Sequence, residues 1–397
     1  MRIAHIITRM ILGGAQENTL LNCEDLLRDY GDEVLLVTGP PLGPEGSLLD
    51  RAQARGVPLK IVPSLRRAIH PWRDWTSYRA LRKILRDYRP DVVHTHSAKG
   101  GLLGRAAATA ERVPVVVHGV HGAPFHPYQN PLSRALFRNC ERWAAGRCQA
   151  FVSVADAMTD LMVASGVAPR EKFTTIYSGM EVEPFLAADE HRERVRAELG
   201  YRPEHVVIGK IARLFKLKGH ADVIAAARKV IARAPQARFL FVGNGILRAS
   251  LERQIAEAGL SEHFQFAGLV PPERIPEMIS AMDVVVHASL REGLARVLPQ
   301  ALIAGKPAVS YDVDGAREVI ISGQTGFLVP PGDVNILAEA LSLLAEGPEL
   351  FAQFGAEGRR RFTDQFRHET MTARVRALYE RLLRERTPSD EARLIEK

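Results

Sequence analysis

The stretch MDVVVHASLREGLARVLPQALIAGKPAVSY, residues 282–311, has the pattern strand, loop, helix, strand. Its run VVV is apolar and β-branched, which is typical of a parallel strand that is covered on both faces. Pro299 lacks a backbone donor and is tolerated in the first turn of a helix, so we expect a helix to begin within a residue or two of it. Such a unit, repeated along a chain, builds a doubly wound parallel sheet.

The same alternation of apolar runs and amphipathic segments occupies both halves of the chain. In the first half the predicted strands are IAHIIT, EVLLVT, LKIV, DVVH, PVVVH and AFVSV, with helices near residues 14–28, 72–88 and 99–110. After an interruption at SGMEVEPFLAAD (residues 178–189), the pattern restarts with VVIGKIA, ARFLFVG and FQFAG. We therefore predict an α/β chain with domains at residues 1–185 and 186–367, followed by a C-terminal helix and a charged tail at 368–397.

Length and composition agree with two folded domains. A chain of 397 residues exceeds the size at which a single core stops growing. The 46% apolar and 25% charged residues are those of an ordinary folded protein. The first residues lack the apolar run of a signal peptide, no stretch of 18 apolar residues occurs, and three cysteines form no CxxC motif. These features predict a cytoplasmic protein.

The net charge of +7 is distributed unevenly. Residues 51–112 contain 14 basic and four acidic residues, a net charge of +10. Such a segment could contact anionic lipid, nucleic acid or a phosphorylated substrate, but solvated helix faces are an equally good interpretation. The nearby aromatic residues follow helical spacing rather than a stacking signature, so we expect no nucleic-acid partner.

A second segment could also contact a membrane. In PYQNPLSRALFRNCERWAAGR, residues 127–147, one helical face could carry Leu132, Ala135, Leu136, Trp143 and Ala144. Arg134, Arg138 and Arg142 flank that face. The helix could dock on an anionic membrane, or it could pack on its own sheet with a solvated basic face, and the sequence leaves both open.

Ligands of open parallel sheets bind at the carboxyl ends of the strands, so the loops there hold the candidate site residues. Gly13 and Gly14 follow the first strand and open a helix, where backbone amides can approach an anion. Arg213 and Lys218, in GKIARLFKLKG, are spaced so that both can reach one pyrophosphate. A pair of solvated loop charges is the alternative for these two cations.

The loop before Pro299 is the third candidate. If the helix begins at this proline, the amides of residues 294–298 stay unpaired and form a seat for an anion. Glu292 before the seat and Gln300 in the first turn could then bind hydroxyls on either side of a phosphate. A nucleotide sugar presents that arrangement.

These loops together resemble the retaining glycosyltransferases of family 4, which have the GT-B fold. The family's loop has a Glu, seven residues and a second Glu, and the residues that match it in register are Glu292, Gly293, Leu298, Ala301, Gly305 and Pro307. Further matching motifs are GGAQENTL, DVVHTHSAKGGLLGR, VVHGVHG, GKIARLFKLKG, LFVGNG, FAG and GAREVI. The resemblance extends to about residue 385.

The resemblance implies two doubly wound Rossmann-like domains facing a central cleft, with a helical C-terminal stretch. It implies a hexosyltransferase-type enzyme that moves a sugar from a nucleotide-diphosphate sugar, UDP favoured and GDP as the alternative. The acceptor would be a glycan, a lipid-linked glycan or a small molecule, as in polysaccharide biosynthesis. Such an enzyme would be cytoplasmic, or peripheral at the inner face of the membrane.

The resemblance also implies roles for single residues. The catalytic group would comprise Glu292, His121, Arg213 and Lys218. The donor would be bound by Arg213 and Lys218 together with Gly14, Gly243, Asn244, Gly293, Leu294, Ala295, Leu298 and Gln300. The acceptor side would hold His96, Ser97 and Lys99, whereas we expect His94 simply to end a strand. Gln300 replaces the family's ribose-binding carboxylate, which predicts altered nucleotide preference rather than loss of binding.

Two features suggest a metal, and we interpret both as non-metal. Asp312 and Asp314 form a DxD triplet, but it lies where the resembling family has a substrate loop. His94, His96, His118 and His121 have no carboxylate or thiolate at ligand spacing, so we expect no metal and no other cofactor. The competing functions are a nonhydrolysing nucleotide-sugar epimerase and a noncatalytic nucleotide-sugar-binding protein.

Overall fold

A computed structural model describes residues 1–43 and 46–395, with side chains up to residue 386. These residues divide into two compact units. Unit 1 comprises residues 1–180 and the C-terminal stretch from 367, and unit 2 comprises residues 181–366. The predicted joint at residue 185 falls inside a short helix, Glu183–Leu186, and the division lies just before that helix.

In the described part of the chain, unit 1 is built on a seven-stranded parallel sheet. Its strands are β1 (Arg2–Arg9), β2 (Glu33–Gly39), β3 (Leu59–Ile61), β4 (Val92–His96), β5 (Val115–Val120), β6 (Ala150–Ser153) and β7 (Phe173–Thr175). Their order in the sheet is β3-β2-β1-β4-β5-β6-β7. The central strands are buried along nearly their whole length, which explains why their sequences lack polar alternation.

Helices connect these strands. They are α1 (Gly14–Arg28), α2 (Leu49–Ala54), α3 (Pro71–Tyr88), α4 (Ala98–Ala110), α5 (Pro131–Ala145) and α6 (Asp156–Ala164). The sequence predicted the bounds of α1 correctly and those of α3 and α4 to within one residue. Pro71 and Pro131 each occupy the first helical position, where the missing donor costs nothing.

Unit 2 repeats the architecture with a parallel sheet of six strands among the described residues. These are β8 (Val206–Ile211), β9 (Ala237–Val242), β10 (Phe264–Gly268), β11 (Val284–His287), β12 (Ala308–Tyr311) and β13 (Gly326–Val329), in the order β10-β9-β8-β11-β12-β13. The helices are α7 (Glu183–Leu186), α8 (Arg192–Glu198), α9 (His220–Arg233), α10 (Arg248–Glu257), α11 (Ile275–Ser280), α12 (Val297–Ile303), α13 (Val334–Glu346) and α14 (Glu349–Phe362).

The last helix, α15 (His368–Ile395), belongs to unit 1 rather than to a segment of its own. It buries Met371, Val375 and Leu378 in the core of that unit. Polar contacts with α1 accompany this packing, because His368 Nδ1 and Thr372 Oγ1 lie 2.9 and 2.7 Å from the carboxylate of Asp25. The helical C-terminal stretch was predicted; the end of the predicted charged tail, residues 396–397, lies outside the described residues.

In each sheet the strand order reverses once, at β1/β4 in unit 1 and at β8/β11 in unit 2. Loops leaving neighbouring strands at such a point diverge to opposite faces and open a crevice at the carboxyl edge of the sheet. The predicted site residues follow β1, β4 and β5 in unit 1 and β8, β9 and β11 in unit 2. The fold therefore gathers them at two such edges, one in each unit. None of the helices within residues 1–43 and 46–395 is both long and apolar enough to cross a bilayer.

Candidate active site

In unit 2 the structure brings together two of the predicted catalytic residues. Lys218 lies in the loop after β8, and Glu292 lies in the loop after β11. Their side chains form an ion pair between Nζ and Oε1, with about a fifth of each side chain exposed. The amide of Leu290 donates to the carbonyl of Leu217 at 2.8 Å and ties the two loops together. Leu217 has a left-handed backbone, φ 67°, a conformation that tends to concentrate at functional sites.

Glu292 is held from several directions. Its backbone N–H donates to Asp314 Oδ2 at 2.6 Å, and its Oε1 lies 3.5 Å from Nε2 of His287. Burial raises the pKa of the Glu292 carboxyl, but the contact with His287 and the charge of Lys218 outweigh burial and bring the pKa well below its usual value. Glu292 is therefore an anion at neutral pH, positioned to accept hydrogen bonds.

A second lysine lies behind this pair. Lys210, on β8, is 1% exposed, and its Nζ has no hydrogen-bond partner among the described residues. Burial, together with the nearby charge of Lys218, lowers its pKa to about 7. The interior beneath the ion pair thus contains an amine that can lose its proton near neutral pH.

The loop after β9 packs against the loop after β8. The amide of Leu214 donates to the carbonyl of Asn244 at 3.0 Å, next to Arg213. Gly243 has φ 135°, and a Cβ there would lie 2.2 Å from the carbonyl oxygen of Ala212, so only glycine fits. The guanidinium of Arg213 is exposed and lies 5.1 Å from the ring centroid of Phe215.

The predicted anion seat forms in part. The amides of Leu294 and Ala295 make no hydrogen bond within the described residues, as expected, and neither does that of Gly293, which precedes the predicted seat. The prediction for Leu298 was wrong, because its amide donates to the carbonyl of Ala295 at 3.1 Å. The physical reason is that α12 begins at Val297, two residues before Pro299, and the turn from Ala295 to Leu298 that leads into the helix uses that donor. Gln300 is partly exposed in the same turn.

The DxD triplet is engaged elsewhere. Both carboxylate oxygens of Asp312 accept from Arg317, at 3.0 and 2.8 Å. Asp314 caps the amide of Glu292 and has φ 47°. The triplet therefore shapes the loop after β12.

In unit 1 the loop after β1 leads directly into α1. The carbonyl of Gly13 accepts from the amides of Gln16 and Glu17 at 3.1 and 3.0 Å, which starts the helix at Gly14. The loop after β4 turns at Ser97, φ 61°, whose Oγ lies 2.6 Å from Oγ1 of Thr8. This hydrogen bond joins the end of β1 to the loop that leaves β4, at the reversal point.

Lys99 does not offer its charge to the site. Its Nζ donates to Asp74 Oδ1 at 2.6 Å and also to the carbonyl of Ala68. The contact anchors the first turn of α4 to α3. Lys99, one of the three residues predicted for the acceptor side, is thus engaged in an internal ion pair.

A cluster of histidines lies behind this edge. His96 Nε2 lies 3.0 Å from His5 Nδ1, and His96 Nδ1 lies 3.0 Å from Nε2 of His121, in the loop after β5. His94 Nδ1 lies 2.6 Å from the hydroxyl of Tyr379 on α15, so His94 does more than end a strand. Burial lowers the pKa of His5 to about 3 and those of His94 and His96 well below their usual value.

His5, His94 and His96 are the one group of potential ligands, within the described residues, whose donor atoms all lie within 4.8 Å of one another. His118 is not part of it, because its ring contacts Thr95 Oγ1 at 2.9 Å. His5 and His96 already hydrogen-bond to each other, and His94 is bound to a buried tyrosine hydroxyl. These contacts explain the cluster as a hydrogen-bonded network.

Sequence reasoning missed four residues of these networks: His5, Lys210, His287 and Asp314 as a cap. The first three share a signal, a polar residue within or at the end of an otherwise apolar strand. Buried polar groups need partners, so such positions indicate a network. The same signal had drawn attention to His94 and His96.

Comparison with known proteins agrees with this geometry. Residues 13–179 match the glycosyl transferase 4-like domain family, and residues 191–361 match the glycosyl transferases group 1 family. The chain is 30% identical over 291 residues to EpsD of Bacillus subtilis (strain 168), a protein assigned as a glycosyltransferase, covering 71% of this chain and 74% of EpsD. The chain belongs to the family 4 glycosyltransferases. The predicted family and transferase activity are confirmed, and neither the epimerase nor the binding-only alternative gains support.

Two further relatives span more of the chain. The UDP-Gal:alpha-D-GlcNAc-diphosphoundecaprenol alpha-1,3-galactosyltransferase of Escherichia coli is 28% identical over 344 residues, covering 86% of this chain and 87% of that protein. The structure of Anabaena HepE in complex with UDP-glucose superimposes with a TM-score of 0.80 at 20% identity, covering 96% and 100%. The predicted GT-B fold of this glycosyltransferase is thereby confirmed.

Proposed function

We propose that this family 4 glycosyltransferase takes a nucleotide-diphosphate sugar as donor, binds its pyrophosphate at the edge of unit 2, and transfers the sugar with retention of configuration. The observation that carries the proposal is the Lys218–Glu292 ion pair at the reversal point of the sheet. An ionised carboxylate and a cation held side by side match a ligand that has sugar hydroxyls next to phosphates.

Donor binding exchanges partners within this pair. Lys218 moves its charge to the pyrophosphate, Arg213 adds a planar fork of donors, and the amides of residues 293–295 supply neutral donors. Glu292, released from Lys218, accepts hydrogen bonds from hydroxyls of the sugar. Gly243 and Asn244 would close the neighbouring loop, and the partly exposed Gln300 would bind ribose hydroxyls.

The rate of transfer depends on stabilising the charge that develops on the departing phosphate. Preorganised cations and amides achieve this without moving during the reaction. No side chain is required as a nucleophile, because the acceptor can attack on the face from which the diphosphate departs. The released phosphate oxygen can take the acceptor's proton. His121 in unit 1 would serve the acceptor side of this reaction, whereas His96, which is buried with its two ring nitrogens bonded to His5 and His121, would act only through His121.

We further propose that the enzyme works without a metal ion. Arg213 and Lys218 supply the positive charge that a metal would otherwise bring to the pyrophosphate. Transfer is expected to persist in EDTA at the untreated rate. Loss of activity in EDTA, restored by manganese, would contradict this proposal and direct attention to Asp312 and Asp314.

UDP is the favoured nucleotide and GDP the alternative. Support for UDP comes from the names of the relatives, since the galactosyltransferase of Escherichia coli uses UDP-Gal and HepE was solved with UDP-glucose. That galactosyltransferase acts on a diphosphoundecaprenol-linked sugar, which supports a lipid-linked acceptor here. The enzyme would then act in polysaccharide biosynthesis on the cytoplasmic side of a membrane.

The surface of unit 1 supports a membrane-linked acceptor. On α5, Leu132 is 81% exposed, and Leu136 and Trp143 are about half exposed. The buried side of this helix instead holds Glu141, Ala144 and Ala145. Much of the predicted apolar stripe points outward, which favours the docking interpretation, whereas Ala144, predicted on the same stripe, is buried instead.

A second apolar and basic surface lies on α3. Trp72 and Trp75 are exposed and stacked at 5.1 Å, and Arg79 lies 4.9 Å from the ring of Trp75. Helices of a parallel α/β sheet run opposite to the strands, so the first turns of α3 and α5 lie toward the carboxyl edge of the sheet. A membrane contacted there would present a lipid-linked acceptor near His96 and Ser97.

The basic segment of residues 51–112 offers less positive charge to a membrane than its net charge of +10 implies. Arg105 is fully buried in a salt bridge with Glu141, and Lys99 is paired with Asp74. Arg82 and Arg86 share Glu111. The remaining basic residues still outnumber acidic ones and would add about 1 kcal/mol each near anionic lipid.

The experiment that tests the donor proposal is a thermal-shift panel on the full chain with nucleosides, nucleotides and nucleotide sugars. A ligand at 100 times its Kd stabilises the folded state by about 2.7 kcal/mol. We expect UDP and one UDP-sugar to raise the Tm more than any other ligand. If a GDP-sugar gave the largest rise in Tm, only the assigned base would change. The absence of a shift with every nucleotide diphosphate would contradict the proposal.

A further inference from the structure

A continuous line of imidazoles runs from the interior of unit 1 to its loop edge. His5 on β1 pairs in register with His94 on β4, and His96 lies two residues further on the same face. The nitrogens of His5 and His96, and those of His96 and His121, are each 3.0 Å apart. The three rings His5, His96 and His121 thus form one hydrogen-bonded chain.

The space for this chain depends on Gly119 of β5. A Cβ at this position would lie 2.9 Å from His96 Nδ1 and 3.2 Å from His121 Nε2. Real Cβ atoms essentially never lie within 3.0 Å of another heavy atom, so any larger residue would displace the ring of His96 and crowd that of His121. The absence of a side chain at position 119 is therefore part of the arrangement.

The direction of the two hydrogen bonds follows from chemistry. A neutral imidazole has one N–H and one accepting nitrogen, so His96 donates along the chain in one direction and accepts from the other. His5 and His96 are fully buried and neutral, because burial lowers both pKa values. Fixing the proton of His5 therefore fixes the protons of His96 and His121.

The interior end of the chain decides that direction. Nε2 of His5 has no hydrogen-bond partner among the residues that the structure describes. A buried N–H without an acceptor is rarer than a buried acceptor without a donor, so the proton of His5 belongs on Nδ1. His5 then donates to His96 Nε2, and His96 Nδ1–H donates to Nε2 of His121.

We propose that His5 and His96 are positioning residues that hold His121 as the neutral Nδ1–H tautomer, with its Nε2 lone pair occupied by His96. The inference rests on the proposed function, which places His121 on the acceptor side of the reaction. In this tautomer His121 cannot accept the acceptor's proton through Nε2, and any hydrogen bond from Nδ1 to a substrate is a donated one. The role of His121 is then to orient an oxygen, which agrees with a reaction whose proton leaves on phosphate.

The tautomer is measured directly on the full chain, labelled with 15N-histidine, by long-range 1H–15N correlation spectra. His121→Gln assigns the signals of that ring. We expect His121 to show a protonated Nδ1 and an unprotonated Nε2. In Gly119→Ala and His96→Leu, where the hydrogen-bonded chain of imidazoles is broken, His121 is expected to move toward the Nε2–H form that free imidazole side chains favour.

His118→Gln is the matched control, because His118 is a buried histidine on β5 that contacts Thr95 instead of the chain. It should leave the spectrum of His121 unchanged. A protonated Nε2 on His121 in the unaltered protein would overturn the proposal. Stoichiometric zinc in the purified protein would overturn it as well, since His5 and His96 would then be ligands.

Kinetics separate positioning from folding. His96→Leu is expected to lower kcat by about fivefold, the effect of one hydrogen bond, with the donor KM unchanged. His96→Gln, which can donate and accept along the chain, should recover most of that loss. Equal kcat in His96→Leu and the unaltered enzyme would contradict the proposal. Because the spectra need no substrate, failure of the donor proposal would leave the tautomer result readable.

Discussion

At the edge of unit 2, Lys218 and Glu292 face each other as opposite charges, whereas at the corresponding edge of unit 1 neutral imidazoles bond to one another. Both edges lie where the strand order reverses in a parallel sheet. The fold supplies the same crevice twice, and the side chains give each crevice a different chemistry. The charged edge suits a pyrophosphate, and the neutral edge suits hydroxyls.

The largest expected effect tests whether the charges of unit 2 are catalytic. Arg213→Ala and Lys218→Ala are each expected to lower transfer by at least about 100-fold, because each removes a cation from the developing phosphate charge. Lys216→Ala is the matched control, an exposed lysine in the same loop, and should stay near the unaltered rate. If both variants kept a third or more of the normal turnover, the loop would hold only solvated charges.

A second test asks whether the apolar surface of unit 1 contacts lipid. Replacing Leu132, Leu136 and Trp143 together by Ser is expected to lower binding to anionic vesicles by about tenfold or more, since three partly exposed apolar side chains lose their burial in the interface. Leu269→Ser with Leu343→Ser, exposed leucines of unit 2, is the control. Negligible binding of the unaltered chain to anionic and neutral vesicles at low salt would indicate a soluble acceptor.

The buried amine of unit 2 gives a pH test. The folded-state pKa of Lys210 is about 7, below its ordinary value of 10.5. Between these values the unfolded chain holds a proton that the folded chain lacks, so this residue makes stability rise with pH, by about 1.4 kcal/mol per unit. Lys210→Met is expected to remove this slope and to raise the Tm at pH 7.

Melting curves between pH 7 and 9.5 measure the effect of Lys210. Lys216→Met, which alters an exposed lysine nearby, should keep the slope of the unaltered chain. An identical pH slope in Lys210→Met and the unaltered protein would show that the amine is solvated and charged when folded.

The smallest expected effect concerns Gln300. Gln300→Glu restores the carboxylate of the family pattern and should change the donor KM about threefold while leaving kcat nearly constant, because ribose is remote from the bond that breaks. Steady-state kinetics with varied donor separates the two constants. A collapse of kcat at saturating donor would place residue 300 at the reacting centre instead.

The sequence predicted most of the fold because its signals are local. Gly13 and Gly14 follow a β-branched strand and open α1, and Pro71 and Pro131 mark helix starts that depend on their own residues. The predicted domain organisation was less accurate than the helix starts, because the return of α15 to unit 1 is a long-range packing event. No local pattern indicates which sheet a terminal helix will cover.

The site was predictable in its loops but not in its contacts. Glu292 and Lys218 were each chosen on their own motif, whereas their ion pair joins residues 74 apart in sequence. The partner of Asp314 is a backbone amide, which no side-chain motif encodes. Leu298 was assigned to the anion seat because a shift of two residues in the start of α12 cannot be resolved from the position of Pro299.

The most direct measurement of the central claim is a calorimetric titration of uridine, UMP and UDP into the full chain and into Lys218→Ala. We predict that the second phosphate raises affinity at least about tenfold in the unaltered enzyme, and that most of this increment disappears in Lys218→Ala. Equal affinity for uridine and UDP, or an increment that survives the substitution, would contradict a pyrophosphate site at the edge of unit 2.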